Sequence, residues 1–253
     1  MLEDPWFYAA AIPAVALVGL SKGGFGGAIG MLGVPMMALV ISPIQAAGIM
    51  LPILLVMDAV SLLYYRRIFD KRTLVLMLPA SIVGIGFGWM IAAHVDDNAV
   101  SLLVGIISVV FALNYWFGDR FRKQPAQHSA PKGAFWGGLA GFTSFVSHTG
   151  GPPFQMYALP LRLPPQVFVG TSVIFFATTN IVKLVPYFFL GQFDTENLET
   201  SAVLFPLAAA TTVFGIWIVK RIDQKLFYGI SYVTIFLIGL KLTYDGTMAL
   251  LGG

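Results

Sequence analysis

Two stretches interrupt long apolar segments of this chain, Ser21-Lys22-Gly23-Gly24-Phe25-Gly26-Gly27 and Ser147-His148-Thr149-Gly150-Gly151-Pro152-Pro153. Each begins with a serine followed by a cationic or titratable side chain, and each continues with residues that interrupt or end helices. They occupy corresponding places near the start of the two halves of the chain. Broken helices at corresponding positions of two halves indicate a ligand site in a membrane carrier.

The composition indicates an all-α polytopic membrane protein. Hydrophobic residues make up 57% of the 253 residues and charged residues only 11%. Apolar stretches such as residues 73–93 and 201–219 recur along the chain, and each is long enough to cross a hydrocarbon core of roughly 30 Å. The chain has no cysteine, which excludes disulfides and thiolate chemistry.

The positive charges are concentrated in a few connections between apolar segments. Twelve of the fifteen Lys and Arg residues fall in four connections, 66–72, 118–132, 162–165 and 220–225. Because basic connections mark the cytoplasmic side of a membrane protein, both termini are predicted on the opposite, periplasmic side. This distribution also explains the basic pI, so we expect a lipid bilayer and no nucleic acid as partner.

This orientation requires each broken segment, 6–41 and 133–161, to cross the membrane an even number of times. We expect a re-entrant hairpin with two arms of about 15 residues each, which is short for a full span. Two short full spans would satisfy the same parity and remain an alternative. Three ordinary crossings follow each hairpin, and this odd number makes the second half inverted relative to the first. The crossings are 45–65, 73–94 and 99–117, then 166–189, 200–219 and 226–245.

Short landmarks recur in order in the two halves. Phe69-Asp70-x-x-x-Leu74 returns as Phe193-Asp194-x-x-x-Leu198, and Gly105-Ile106 returns as Gly229-Ile230. Several such matches in the same order indicate a duplication. We therefore predict a first transmembrane repeat at 1–117, a polar cytoplasmic linker at 118–132 and a second, inverted repeat at 133–253, with no functional role for His128.

The Gly-rich broken helix, the F-D-x-x-x-L connection and the S-x-x-G-G-P-P stretch resemble the TauE/SafE sulfite exporter family over about residues 6 to 250. The resemblance implies a bacterial inner-membrane carrier that exports a small sulfur oxyanion or organosulfonate, such as sulfite or sulfoacetate. It leaves the anion open, because related members are associated with other small anions.

The residues themselves also favour an anionic substrate. Helix N-termini after a break present N–H groups, glycines allow close approach, and serine and threonine hydroxyls can donate hydrogen bonds. Lys22 is the natural counter-charge. We therefore predict a midplane site formed by the two broken helices. The candidate substrate-binding residues are Ser21, Lys22, Gly23, Gly24, Gly26, Gly27, Ser147, His148, Thr149, Gly150, Gly151, Gln155 and Asn180.

Two further ionisable residues lie inside the apolar segments. Asp58 is the most deeply placed acid, and it is either a proton carrier or a structural counter-ion to Lys22. Lys183 is a coupling or counter-ion candidate, with snorkelling to the membrane surface as the alternative.

Each candidate binding residue also has a structural alternative. Glycines spaced four apart also favour close helix packing, and Lys22 can snorkel from a shallow helix. His148 can be a hydrogen-bonded structural histidine, and Gln155 and Asn180 can bridge helices. Six aromatic residues near predicted span ends are expected to be interfacial anchors. They are Tyr64, Tyr65, Tyr115, Trp116, Tyr187 and Phe188.

The leading function is a secondary transporter driven by a proton gradient or the membrane potential. A carrier or channel for another small anion and a non-transporting membrane subunit are the alternatives. An enzyme is not expected, because adjacent residues such as Ser147 and His148 do not face each other on a helix and the motifs of zinc or serine hydrolases are missing. No cofactor or metal is predicted, and a homo-oligomer remains open.

Overall fold

The computed structural model describes residues 5–26, 29–91, 97–118, 125–189 and 195–251. Every regular element in these ranges is helical. The α-helices are α1 (Pro5–Gly24), α2 (Gly33–Met37), α3 (Pro43–Tyr65), α4 (Lys71–Ile91), α5 (Asp97–Leu113), α6 (Ala130–Val146), α7 (Gly151–Ala158), α8 (Pro165–Phe189), α9 (Thr195–Val219) and α10 (Gln224–Leu251). Short 3₁₀ helices cover Ile29–Leu32 and Leu159–Leu161, and a π-helical turn covers Asn114–Gly118.

Seven of the described helices are long and apolar enough to cross a membrane: α1, α3, α4, α5 with its π turn, α8, α9 and α10. The predicted class, an all-α multi-pass membrane protein, is confirmed. Helix α10 continues beyond the predicted end at 245, because residues 246–251 are apolar or small and Gly246 packs closely against Leu102 on α5.

The chain divides into two compact units. Unit 1 comprises Met1–Phe69 and Val169–Ile222, and unit 2 comprises Asp70–Phe168 and Asp223–Gly253. Each unit therefore combines helices from both predicted repeats. The boundaries of those repeats in the sequence, including the linker at 118–132, remain predictions.

In unit 1, α1 and α3 both pack against α9. The contact between α1 and α9 is close because glycines face each other: a Cβ built on Gly24 would lie 2.7 Å from the carbonyl oxygen of Gly215. A fully buried apolar cluster fills the space between these helices. Its larger members include Phe7, Val15, Met37, Ile49, Met50, Ile53 and Met57.

In unit 2, α4 packs against α6 and α5 packs against α10. Glycines again allow the helices to approach, since a Cβ on Gly239 of α10 would lie 3.0 Å from the carbonyl oxygen of Gly105 on α5. The rings of Tyr115 and Tyr232 stack, with centroids 3.4 Å apart. Small residues and aromatic stacking thus hold these helix pairs together. In a bilayer the hydrophobic effect does not drive helix association, because lipid tails are as apolar as the helix surfaces.

The arms of the first broken segment differ in length, whereas the sequence predicted two arms of about 15 residues. Helix α1 has 20 residues, and the second arm consists of a 3₁₀ helix and the five-residue α2. The break falls later than expected because Gly23 and Gly24 remain helical, packed against the backbone of α9. The chain leaves the helix at Phe25 and Gly26, where Gly26 has φ 68°.

Candidate functional site

A buried ion pair lies in unit 1. Lys22 is near the C-terminus of α1, and its ammonium group donates a hydrogen bond to Oδ1 of Asp58 on α3. Lys22 is 7% exposed and Asp58 is 2% exposed. A charge in an apolar interior is costly without a partner, so the two residues stabilise each other there.

Helix α8 contributes two more polar groups to this pair. Nδ2 of Asn180 donates a hydrogen bond to Oδ2 of Asp58 at 2.7 Å, so each carboxylate oxygen accepts a hydrogen bond. Lys183 lies three residues after Asn180, on the same face of the helix. Its ammonium group interacts electrostatically with both Lys22 and Asp58 and lies 5.9 Å from the centroid of the Tyr187 ring. These four residues, Lys22, Asp58, Asn180 and Lys183, form the Lys22 cluster.

Asp58 and Asn180 lie inside their helices rather than at the ends, whereas Lys22 lies two residues before the end of α1 at Gly24. Asp58 precedes Arg66, the residue after α3, by eight positions, and Asn180 precedes the end of α8 at Phe189 by nine. At 1.5 Å per residue, both side chains are at least about 12 Å along the helix from the nearer end. Lys183 is 1% exposed, which disagrees with the alternative that it snorkels to the surface.

Hydrogen bonds fix the conformation of the break that follows α1. The Ser21 hydroxyl accepts a hydrogen bond from the Gly30 backbone N–H at 3.1 Å, and the Tyr65 hydroxyl donates to the Gly23 carbonyl at 2.9 Å. The break is therefore held from its own second arm and from α3. The candidate Gly27 lies outside the described residues.

Two of the six predicted interfacial aromatic residues are buried. Tyr65 is 0% exposed and bonds to Gly23, and Tyr187 is 3% exposed beneath Lys183. The prediction was wrong for these two because a position near a span end does not show which face of the helix a ring occupies. The ring of Tyr64, by contrast, is half-buried and faces Nζ of Lys220 at 4.0 Å.

The break in unit 2, between α6 and α7, is organised by Thr143. Its carbonyl oxygen accepts hydrogen bonds from the backbone N–H groups of Ser147 and Thr149, both at 3.1 Å. Its hydroxyl donates to Leu139 or to Thr149. The Ser147 and Thr149 hydroxyls bond each other at 2.8 Å. The sequence did not predict a role for Thr143, because a single threonine within an apolar helix carries no distinguishing pattern.

His148 has a left-handed backbone conformation within this break, with φ 54°. Its side chain is half-buried. Histidine tolerates this region better than β-branched residues do, and the conformation redirects the chain from α6 into α7. Gly150 follows, and a Cβ there would lie 2.6 Å from the carbonyl oxygen of Ala140.

The N-terminus of α7 offers fewer N–H donors than the sequence argument assumed. Pro152 and Pro153 occupy the second and third positions of the helix and have no N–H. The Phe154 N–H is used by the Gly150 carbonyl oxygen at 3.3 Å. The donors that remain for a ligand near Gly151 must therefore come largely from side chains, and Gln155 on the same helix is 0% exposed.

The structure thus sorts the predicted site residues into two groups. Unit 1 brings Lys22, Asp58, Asn180 and Lys183 into one cluster, with Ser21, Gly23, Gly24 and Gly26 at the adjoining break. Unit 2 holds Ser147, His148, Thr149, Gly150, Gly151 and Gln155 around the start of α7. Whether any of them contacts a substrate remains a prediction.

One polar contact in unit 2 involves His128, for which the sequence predicted no functional role. Nε2 of His128 lies 3.5 Å from Oδ1 of Asp70, and the same oxygen accepts a hydrogen bond from the Thr73 N–H at 2.7 Å. Asp70 thereby caps the start of α4. The role is structural in character. Among the described residues, no three His, Asp or Glu side chains are grouped as a metal site.

The family model of the sulfite exporter TauE/SafE matches residues 11–242, which is most of the chain. The chain belongs to the TauE/SafE family. The match confirms the resemblance inferred from the broken-helix motifs, and with the seven apolar helices it identifies a transmembrane transport protein. Comparison with curated proteins and with solved structures gave no match. TauE/SafE membership indicates a membrane exporter of sulfite or another anion, and transporters of this family are not enzymes.

Proposed function

We propose that this TauE/SafE chain is a secondary transporter that exports a small sulfur oxyanion or organosulfonate, of the sulfite or sulfoacetate kind. We further propose that the anion binds at the Lys22 cluster. The observation that carries this proposal is the burial of two lysines, Lys22 and Lys183, around the carboxylate of Asp58. Two ammonium groups that both interact with one carboxylate make a favourable potential for a second anionic group.

The Lys22 cluster also suggests how transport is coupled to protons. An anion that binds Lys22 takes the place of the Asp58 carboxylate, which then loses its ion-pair partner and keeps Lys183 as the remaining cation of the cluster in an apolar interior. A carboxylate in that position favours its neutral, protonated form. Binding of one anion thus favours uptake of one proton by Asp58. Besides Lys22 and Lys183, the elements packed against α3 present no titratable group to Asp58 among the described residues, since Glu196 and Glu199 of α9 are exposed.

The inverted repeat with re-entrant hairpins remains a proposal, and two observations support it. In unit 1 the first helix of one predicted half, α1, packs against α9 of the other half, and in unit 2 the corresponding α6 packs against α4. The second arms are also short: the helical residues 29–37 extend about 16 Å and residues 151–161 about 18 Å. Neither reaches the roughly 30 Å that a full helical span requires.

The proposed location is a bacterial inner membrane with both termini on the periplasmic side. Unit 1 supports part of this orientation. The connections that carry Arg66 and Lys220 lie at the same end of the unit, because Nζ of Lys220 faces the ring of Tyr64. Both connections are basic, as the positive-inside rule requires of one membrane face. The further proposal that both broken helices contribute to one midplane site rests on the sequence repeat.

Uptake of labelled sulfite and sulfoacetate into proteoliposomes tests this function. The proposal expects saturable uptake that responds to a proton gradient. It also expects proton movement across the membrane of the same vesicles during uptake. Unsaturable flux at rates far above those of carriers would indicate a channel instead. Absence of uptake of either anion under gradients of both signs would contradict the substrate assignment.

A further inference from the structure

The amide of Gln155 stands out among the buried polar groups of unit 2. The side chain is 0% exposed, and neither Nε2 nor Oε1 has a hydrogen-bond partner in the part of the chain that the structure describes. Native structures rarely leave buried amides unsatisfied, and exceptions call for a water, an ion or a ligand. A glutamine amide offers two donors and one acceptor, so its partner must be able both to accept and to donate.

Helix geometry predicts that the amide of Gln155 lies over the first turn of α7, next to the break. Side chains on a helix lean towards the N-terminus, over the residues three and four positions earlier. For Gln155 these residues are Pro152 and Gly151. Gly151 has no side chain to cover the first turn, and Pro152 has no N–H to present there. In this geometry the amide of Gln155 is a donor beside a first turn whose prolines have no N–H to offer.

The polar groups of the break itself are engaged elsewhere. The Ser147 and Thr149 hydroxyls bond each other at 2.8 Å, and the Thr149 N–H and carbonyl both bond Thr143. None of these groups bonds to Gln155. The start of α7 thus combines a helix N-terminus with an enclosed, unpartnered amide, which is a suitable arrangement for an oxyanion.

We propose that Gln155 is a specificity-determining residue of the transporter. This inference rests on the proposed function as an anion transporter, and not on the assignment of the anion to the Lys22 cluster of unit 1. It recognises an oxyanion that carries an O–H or N–H donor besides its acceptor oxygens. An anion with acceptors alone satisfies Nε2 but leaves Oε1 facing a negatively charged oxygen. A donor on the same ligand satisfies both ends of the amide. The substrate class is therefore a protonated oxyanion or a sulfonate with a nearby hydroxyl or amino group.

Two sulfonates that differ by one hydroxyl test this inference. Dissociation constants of 2-hydroxyethanesulfonate and ethanesulfonate are measured from the concentration dependence of the melting temperature of the purified protein. We expect the hydroxylated anion to bind at least about tenfold more tightly, because a site built to hydrogen-bond a hydroxyl rejects the analogue without one. The wild-type ratio is a test by itself and requires no variant.

Substitution then assigns the preference to Gln155. Gln155→Met keeps the length of the side chain and removes the amide, and it is expected to bring the ratio of the two constants to within about twofold of one. Gln224→Met is the matched control, because Gln224 is exposed and already donates to the Arg162 carbonyl at 3.1 Å. The control is expected to keep the wild-type ratio.

Several results would overturn the inference: equal binding of the two sulfonates, binding of neither, or a preference that Gln155→Met leaves unchanged. A different result would contradict the proposed function alone. Binding with the hydroxyl preference but without uptake into proteoliposomes would leave Gln155 as a recognition residue in a protein that does not transport these anions.

Discussion

Lys22 on α1 and Asp58 on α3 form a buried ion pair within unit 1. The two residues are 36 positions apart, so the pair joins two different apolar segments. It explains how the chain tolerates charges inside those segments, because each charge has its partner and Asn180 satisfies the second carboxylate oxygen. Of the two interpretations of Asp58, the structure shows the contact with Lys22, while the roles of counter-ion and proton carrier remain predictions.

Removing one member of the pair is expected to destabilise the protein strongly. Asp58→Asn or Lys22→Gln leaves one charge buried without its counter-ion, which costs about 3–5 kcal/mol. The double variant Lys22→Gln/Asp58→Asn removes both charges of the pair and leaves Lys183 as the remaining charge of the Lys22 cluster, so it is expected to lose less than Asp58→Asn, which leaves two buried lysines without the carboxylate. Unfolding of the protein in detergent micelles, followed by circular dichroism, measures the three free energies.

Helix α10 provides the matched control for this comparison. Lys241 and Asp245 form an i,i+4 ion pair with side chains 43% and 47% exposed. Its single variants, Lys241→Gln and Asp245→Asn, are expected to change the free energy of unfolding by less than about 1 kcal/mol. Equal losses at the buried and the exposed pair would show that burial of Lys22 and Asp58 does not govern their energy.

Glycines at helix contacts are expected to be intolerant of a methyl group. A Cβ on Gly23 would collide with the Thr212 carbonyl oxygen of α9, and one on Gly141 would collide with that of Ser81 on α4. Gly23→Ala and Gly141→Ala force the backbones apart, at a cost of about 1–3 kcal/mol each. The same detergent unfolding assay measures the loss.

Two other glycines serve as controls for this prediction. A Cβ on Gly86 or Gly229 would meet no atom within 4 Å. Gly86→Ala and Gly229→Ala are expected to leave stability unchanged or raise it by up to about 1 kcal/mol through helix propensity. If all four alanine variants behaved alike, close packing would not be the reason for these glycines.

Tyr65→Phe is expected to loosen the end of α1. The variant keeps the ring but removes the hydroxyl that donates to the Gly23 carbonyl at 2.9 Å, and it leaves that buried carbonyl with one partner fewer. The expected loss is about 1–3 kcal/mol in the free energy of unfolding. Tyr244→Phe, at a ring that is 65% exposed, is the control and should be near neutral. If Tyr65→Phe left the free energy of unfolding unchanged, this hydrogen bond would not stabilise the end of α1.

The sequence predicted much of the fold because membrane segments are governed by simple rules. Length, hydropathy and the positions of basic connections predicted the all-α class and most of the spans. The break after Ser21 was misplaced by a few residues. Glycine permits both a break and close packing, and only the position of α9 shows that Gly23 and Gly24 pack while Gly26 turns the chain.

The candidate site was partly predictable for the same reason. Ionisable residues inside apolar segments are rare and indicate a functional site, so the sequence identified Lys22 and Asp58 as candidates. The roles of Tyr65 and Thr143 depend on which atom lies opposite a hydroxyl, and a single sequence does not contain that information. His128 was likewise assigned no role, and its contact with Asp70 depends on how the chain from 125 to 129 folds back.

The measurement that tests the central claim most directly compares sulfite uptake by two folded double variants in proteoliposomes. Lys22→Gln/Asp58→Asn removes the buried pair, and Lys241→Gln/Asp245→Asn removes the exposed one. The account predicts that the first variant loses at least about tenfold in the initial rate and no longer responds to a proton gradient, while the second transports like the wild type. Proton-driven uptake at the wild-type rate by the variant without Lys22 and Asp58 would contradict the account.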